Sequence, residues 1–150
     1  MKDWTALERV LRELHRILLR RASREYMQVN GLAEEPGPGD LLMLATRDEN
    51  FAWLRSLSEL MADIDHLREQ PEARDQPGVR AAVRGAVEQL LNPPADQQQA
   101  SAFAARYWSH VHADPEVAIA HGAVRQALRD WPAPAEADHR QVIAEHTRKK

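Results

Sequence analysis

The chain contains no cysteine, which excludes disulfides, thiolate metal sites and cysteine nucleophiles. Aromatic residues are scarce at 5%, but four of them are tryptophan, which favours a few anchored packing sites. No stretch approaches the ~20 consecutive apolar residues of a membrane span. Glu8, Arg9, Arg12, Glu13 and His15 interrupt the opening segment, so no secretory signal is expected there. The formal charge of −3 supplies no global field toward nucleic acid or an anionic membrane. Convincing strand patterns are missing as well. These absences lead to the expectation of a cytoplasmic protein with no membrane partner.

What is present is helical spacing. Trp4, Leu7, Val10, Leu11, Leu14, Ile17, Leu18 and Ala22 recur every three or four residues, as one buried helix face requires. Arg9, Arg12, Arg16, Arg20 and Arg24 occupy the other side. Asp3 is a plausible cap for this first helix, and Asn30-Gly31 supplies a left-handed stop.

A loop rich in proline and glycine follows over 31–40, and Asp40 can cap a turn carrying Leu41, Leu42, Met43 and Leu44. Asp48 then caps a second helix, whose stripe runs Phe51, Trp53, Leu54, Leu57, Leu60, Met61, Ile64 and Leu67. Pro77 opens a third helix with Val79, Ala82, Val83, Ala86, Val87, Leu90 and Leu91 on one face. Asp96 caps a fourth, carrying Phe103, Ala104, Tyr107, Trp108 and Val111. Asp114-Pro115-Glu116 is a strong start for a fifth, with Val117, Ala120, His121, Val124, Ala127 and Leu128.

The tail over 135–150 has only Val142 and Ile143 as paired anchors and is read as weakly held. The expected fold is therefore all-α. Residues 1–150 are read as a single antiparallel bundle of five main helices plus a weak C-terminal one. A chain of this length buries roughly 70% of its unfolded surface.

Chemistry is harder to find. His121 lies between Val117 and Val124 on an apolar face, where an imidazole needs a hydrogen-bond partner whether it is a core residue or a ligand. His15 borders the first stripe, within reach of a carboxylate on a neighbouring helix. Asp65 borders the second stripe next to Ile64, and His66 is three residues from Asp63. One buried carboxylate with two imidazoles would suit either a metal site or a network fixing helix register.

Metal motifs are otherwise weak. Glu136 to His139 is the one Glu-x-x-His match, where a di-iron site needs two and further glutamates. His110 and His112 are two apart and diverge on a helix, so one ion could join them only where the helix unwinds near Asp114. No nucleophile elbow, phosphate-binding loop or phosphotransfer histidine pattern is present. The serines fall inside helices, where a hydroxyl is usually a spectator or bonds to its own backbone. The arginine stripe is interleaved with Glu8, Glu13 and Glu25 and reads as a solvated face, so nucleic-acid binding is not favoured.

Leu41, Leu42, Met43 and Leu44 are four adjacent apolar residues that one helical turn cannot bury in one core; they either plug the bundle or form an interface. The favoured function is a non-catalytic protein-interaction or homodimeric module, with a protein or self partner and no cofactor. The alternative is a metal- or small-ligand-binding bundle that uses His15, Asp65, His66 and His121.

Overall fold

A computed structural model describes residues 2–31, 49–92, 102–134 and 138–147. The protein is all-α, and no strand occurs among the described residues. The helices are α1 (Lys2–Asn30), α2 (Glu49–Ala52), α3 (Arg55–Arg68), α4 (Pro71–Arg74), α5 (Pro77–Leu91), α6 (Ala102–Ala113), α7 (Pro115–Leu128) and α8 (His139–Thr147).

Helix α1 is the spine. Its 29 residues extend about 43 Å at 1.5 Å per residue. The expected face is buried: Trp4, Leu7, Leu11, Leu14, Ile17, Leu18 and Ala22 are all within the core. Gly31 stops the helix with a left-handed φ of 63°, which a glycine adopts at little cost. Asp3 lies inside the helix, and its carboxylate accepts from Arg80 at 2.8 Å. Helix α7 packs most extensively on α1, which also contacts α2 and α3. Helices α3, α5 and α8 pack on one another to complete a shared apolar core. This packing order is compatible with the expected antiparallel bundle.

The second expected helix is broken at Trp53–Leu54, giving α2 and α3. The reason lies in the helical angle. At 100° per residue, Phe51 would lie about 160° from the centre of the Leu57, Leu60, Ile64 and Leu67 face. Phe51 and Leu54 nevertheless are buried, 0% and 3% exposed. Only a corner between the two helices allows both faces to point inward. The Leu54 amide donates to the Phe51 carbonyl at 3.0 Å and closes that corner.

The single turn of α4 carries too few residues to show a period; it is fixed from outside by Trp4, whose indole donates to the Arg74 carbonyl at 3.2 Å. The expected C-terminal helix forms, and it has more anchors than the Val142 and Ile143 pair that the sequence offers. Residues 139–147 form a helix whose Ile143 and His139 are buried, and α8 packs on α5 and α3. Its anchor is a histidine that no apolar count would have included. Arg140 adds an ion pair to Asp63 at 2.8 Å, and Gln70 donates to the His146 carbonyl. The expected caps at Asp40, Asp48 and Asp96, and Glu136 of the Glu-x-x-His match, lie outside the described residues.

Candidate functional site

Helix α7 begins as its sequence dictates. Asp114 accepts from the Glu116 amide at 2.9 Å, and Pro115 occupies the first turn. From that start Val117, Ala120, His121, Val124 and Leu128 fall on the buried face. Tyr107 stands seven positions before Asp114 and His121 seven after it. With one residue joining α6 to α7, the chain folds back and brings the two side chains together. The Tyr107 hydroxyl lies 2.7 Å from His121 Nδ1. Trp108 closes the other side of the imidazole edge-on, with centroids 5.2 Å apart.

The protonation state of this pair follows from its burial. Burial pushes the Tyr107 hydroxyl well above the usual phenol range, so it keeps its proton. It has no other hydrogen-bond partner among the described residues, so the hydroxyl donates to Nδ1. Burial, followed by the nearby Arg125, lowers His121, so the ring is neutral at pH 7. Its proton then sits on Nε2, a tautomer assigned from this network.

His121 lines a cleft of about 550 Å³ between α5 and α7. Arg84, Glu88, Asn92, Arg125 and Arg129 also line it. Arg84 is occupied, donating to Glu88 at 2.8 Å and to the Trp131 carbonyl at 2.6 Å. Arg125 and Arg129 are exposed and make no ion pair among the described residues. They are four apart on one helix face, a spacing at which like charges repel. Their place near the helix C-terminus offsets part of that repulsion. The cleft thus carries one neutral imidazole donor and two guanidinium groups that make no ion pair among the described residues.

The other predicted residues are scattered. His15 Nε2 pairs with the Ser58 hydroxyl at 2.9 Å rather than with a carboxylate, so Ser58 is no spectator. Burial lowers the His15 pKa. Asp65 is exposed and bonds to Arg68 at 3.1 Å, contrary to the picture of a buried carboxylate between histidines. His66 is half-buried, with its Nε2 unbonded. His15, Asp65 and His121 therefore do not converge, and no cluster of three potential metal ligands exists among the described residues. Leu41, Leu42, Met43 and Leu44 lie outside the described residues.

Sequence reading weighed His110 only as a metal ligand and missed its burial and its partner. Helix α6 continues intact to Ala113, so His110 and His112 diverge: the first is 2% exposed and the second open to solvent. Arg21 Nε donates to His110 Nδ1 at 2.7 Å, and Arg21 Nη1 reaches Asp114 at 2.9 Å. A guanidinium cannot accept, so His110 carries its proton on Nε2, which faces Glu25 at 3.4 Å without a hydrogen bond. Trp53 stacks on the ring at 5.3 Å and 14°. Burial lowers the His110 pKa despite the opposing pull of Glu25. This network ties the end of α1 to the α6–α7 corner. Its signal in the sequence was the density of arginine on α1, part of which is not a solvated face.

Comparison with protein-family models, curated proteins and solved structures found no match.

Proposed function

We propose that the chain is a small-ligand-binding helical protein whose α5–α7 cleft takes an anionic molecule. The observation that carries this reading is a buried, neutral His121 in one cleft with two guanidinium groups that make no ion pair among the described residues. Arg125 and Arg129 supply charge, the His121 Nε2–H supplies a directional donor, and Tyr107 holds the imidazole in the donating tautomer. Volume supports a molecule larger than a lone ion, since ligand pockets typically begin near 300 Å³. No nucleophile or metal cluster accompanies these groups among the described residues, and binding is the role they support.

Calorimetric titration with phosphate, pyrophosphate and citrate tests the reading. Saturable binding of at least one anion is expected, weakened about 10–100-fold by Arg125→Ala, as loss of a charge-assisted bond of about 1.5–3 kcal/mol implies. His121→Gln should weaken it less. Failure of all three anions to bind, or binding insensitive to Arg125→Ala and Arg129→Ala, refutes the assignment.

A further inference from the structure

A second pocket, about 220 Å³, lies between α1 and α3, away from the cleft described above. Leu11, Met61 and Ile64 give it apolar walls, and Glu8, Arg12 and Asp65 contribute the polar groups. Glu8 is the unusual member. It is 7% exposed, and neither of its carboxyl oxygens makes a hydrogen bond of acceptable geometry. A buried carboxylate costs free energy unless it is neutralised and hydrogen-bonded.

The neutralisation is incomplete. Arg68 Nη1 stands 3.0 Å from Glu8 Oε2, but Arg68 Nη2 is shared with Asp65 and Glu69, each at 3.1 Å. Three carboxylates therefore contact one guanidinium. Arg12 acts on Glu8 through space as a second cation. Burial, outweighing Arg68, raises the Glu8 carboxyl above its ordinary range, and Asp65 adds to the rise. A cation brought into this pocket would add countercharge where one guanidinium is divided among three carboxylates.

The geometry points to this pocket as a binding site for a small primary amine with a compact apolar body. Its ammonium group would take Glu8 Oε1, which is buried and accepts no hydrogen bond, together with the outward carboxylate of Asp65. The body would lie between Leu11, Met61 and Ile64. An apolar cavity of about 150 Å³ is known to take benzene, so this pocket has room for a ring bearing an aminomethyl group. The competing view makes Glu8–Arg68 a fixed pin between helices with nothing to bind.

Benzylamine separates the two views, titrated into the full chain and followed by backbone amide NMR, with benzyl alcohol and benzoate as neutral and anionic counterparts. We expect saturable shifts around Glu8 and Asp65, and binding of the alcohol and the benzoate at least about tenfold weaker. Glu8→Gln keeps the side-chain shape and should weaken amine binding about tenfold or more. Ala62 is an exposed residue on the pocket wall, so Ala62→Trp blocks the mouth without disturbing the core and should abolish saturation even if Glu8→Gln fails to fold. The proposal is overturned by equal affinity for benzyl alcohol, by amine binding unchanged in either variant, or by no saturation up to about 20 mM, where even weak millimolar affinity would register.

Discussion

Gly85 and His139 allow a sharp test of how the C-terminal helix is held. Gly85 sits mid-way along α5, where alanine would normally stabilise a helix by about 1 kcal/mol. Here the space for a Cβ is already taken by the His139 ring, with Cε1, Nδ1 and Nε2 all inside normal contact distance. His139 is 9% exposed, so its ring would have to shift among packed neighbours. Overpacking of this kind costs about 1–3 kcal/mol. Subtracting the helix gain, Gly85→Ala should destabilise the protein by about 0–2 kcal/mol. In a His139→Ala background the obstruction is gone, and the same substitution should stabilise by up to about 1 kcal/mol. Urea unfolding of the four proteins gives the coupling directly, and the predicted signature is a change of sign. If Gly85→Ala stabilises the parent chain, or acts equally in both backgrounds, the placement of α8 against α5 is wrong.

Three further outcomes follow from the buried polar groups. Burial lowers the pKa of His15, His110 and His121, so each takes up protons more readily once unfolded. Stability should then be full above about pH 6.5 and fall on acidification through the lowered values; a urea midpoint that rises from pH 7.5 to about 5.5 would contradict this. Glu8, whose pKa is raised, works in the opposite sense closer to the carboxylate range, which is why the comparison stops there. Tyr107→Phe strips the partner from buried His121 Nδ1 and should cost about 1–3 kcal/mol, read by chemical denaturation, with the His121 ring nitrogens shifting in NMR. Arg21→Met removes both the His110 and Asp114 bonds; a loss of about 1–3 kcal/mol is expected, and a neutral result would mean that the α1 to α6–α7 tie carries no net stability.

The helices themselves were legible because their causes are local. The α1 face, the Asp114-Pro115 start and the Gly31 stop each depend on residues a few positions apart. The corner at Trp53–Leu54 was legible in principle, since Phe51 does not fit the angle of the Leu57 face, yet counting apolar residues alone ran the two helices together. His121 was marked correctly as needing a partner, but its partner was not named. The equal spacing of Tyr107 and His121 about Asp114 was the one available clue.

Sequence alone thus determined the all-helical class, because a 3.6-residue period of water-avoiding side chains is written within each segment. It also determined the starts of α5 and α7 and the stops of α1 and α5. The tertiary structure alone decided which polar groups meet: that His110 faces Arg21, that Glu8 shares Arg68 with Asp65, and that Gly85 makes room for His139. Those meetings depend on helix rotation and offset, which are set by the packing of whole faces and are not encoded in the spacing within any one of them.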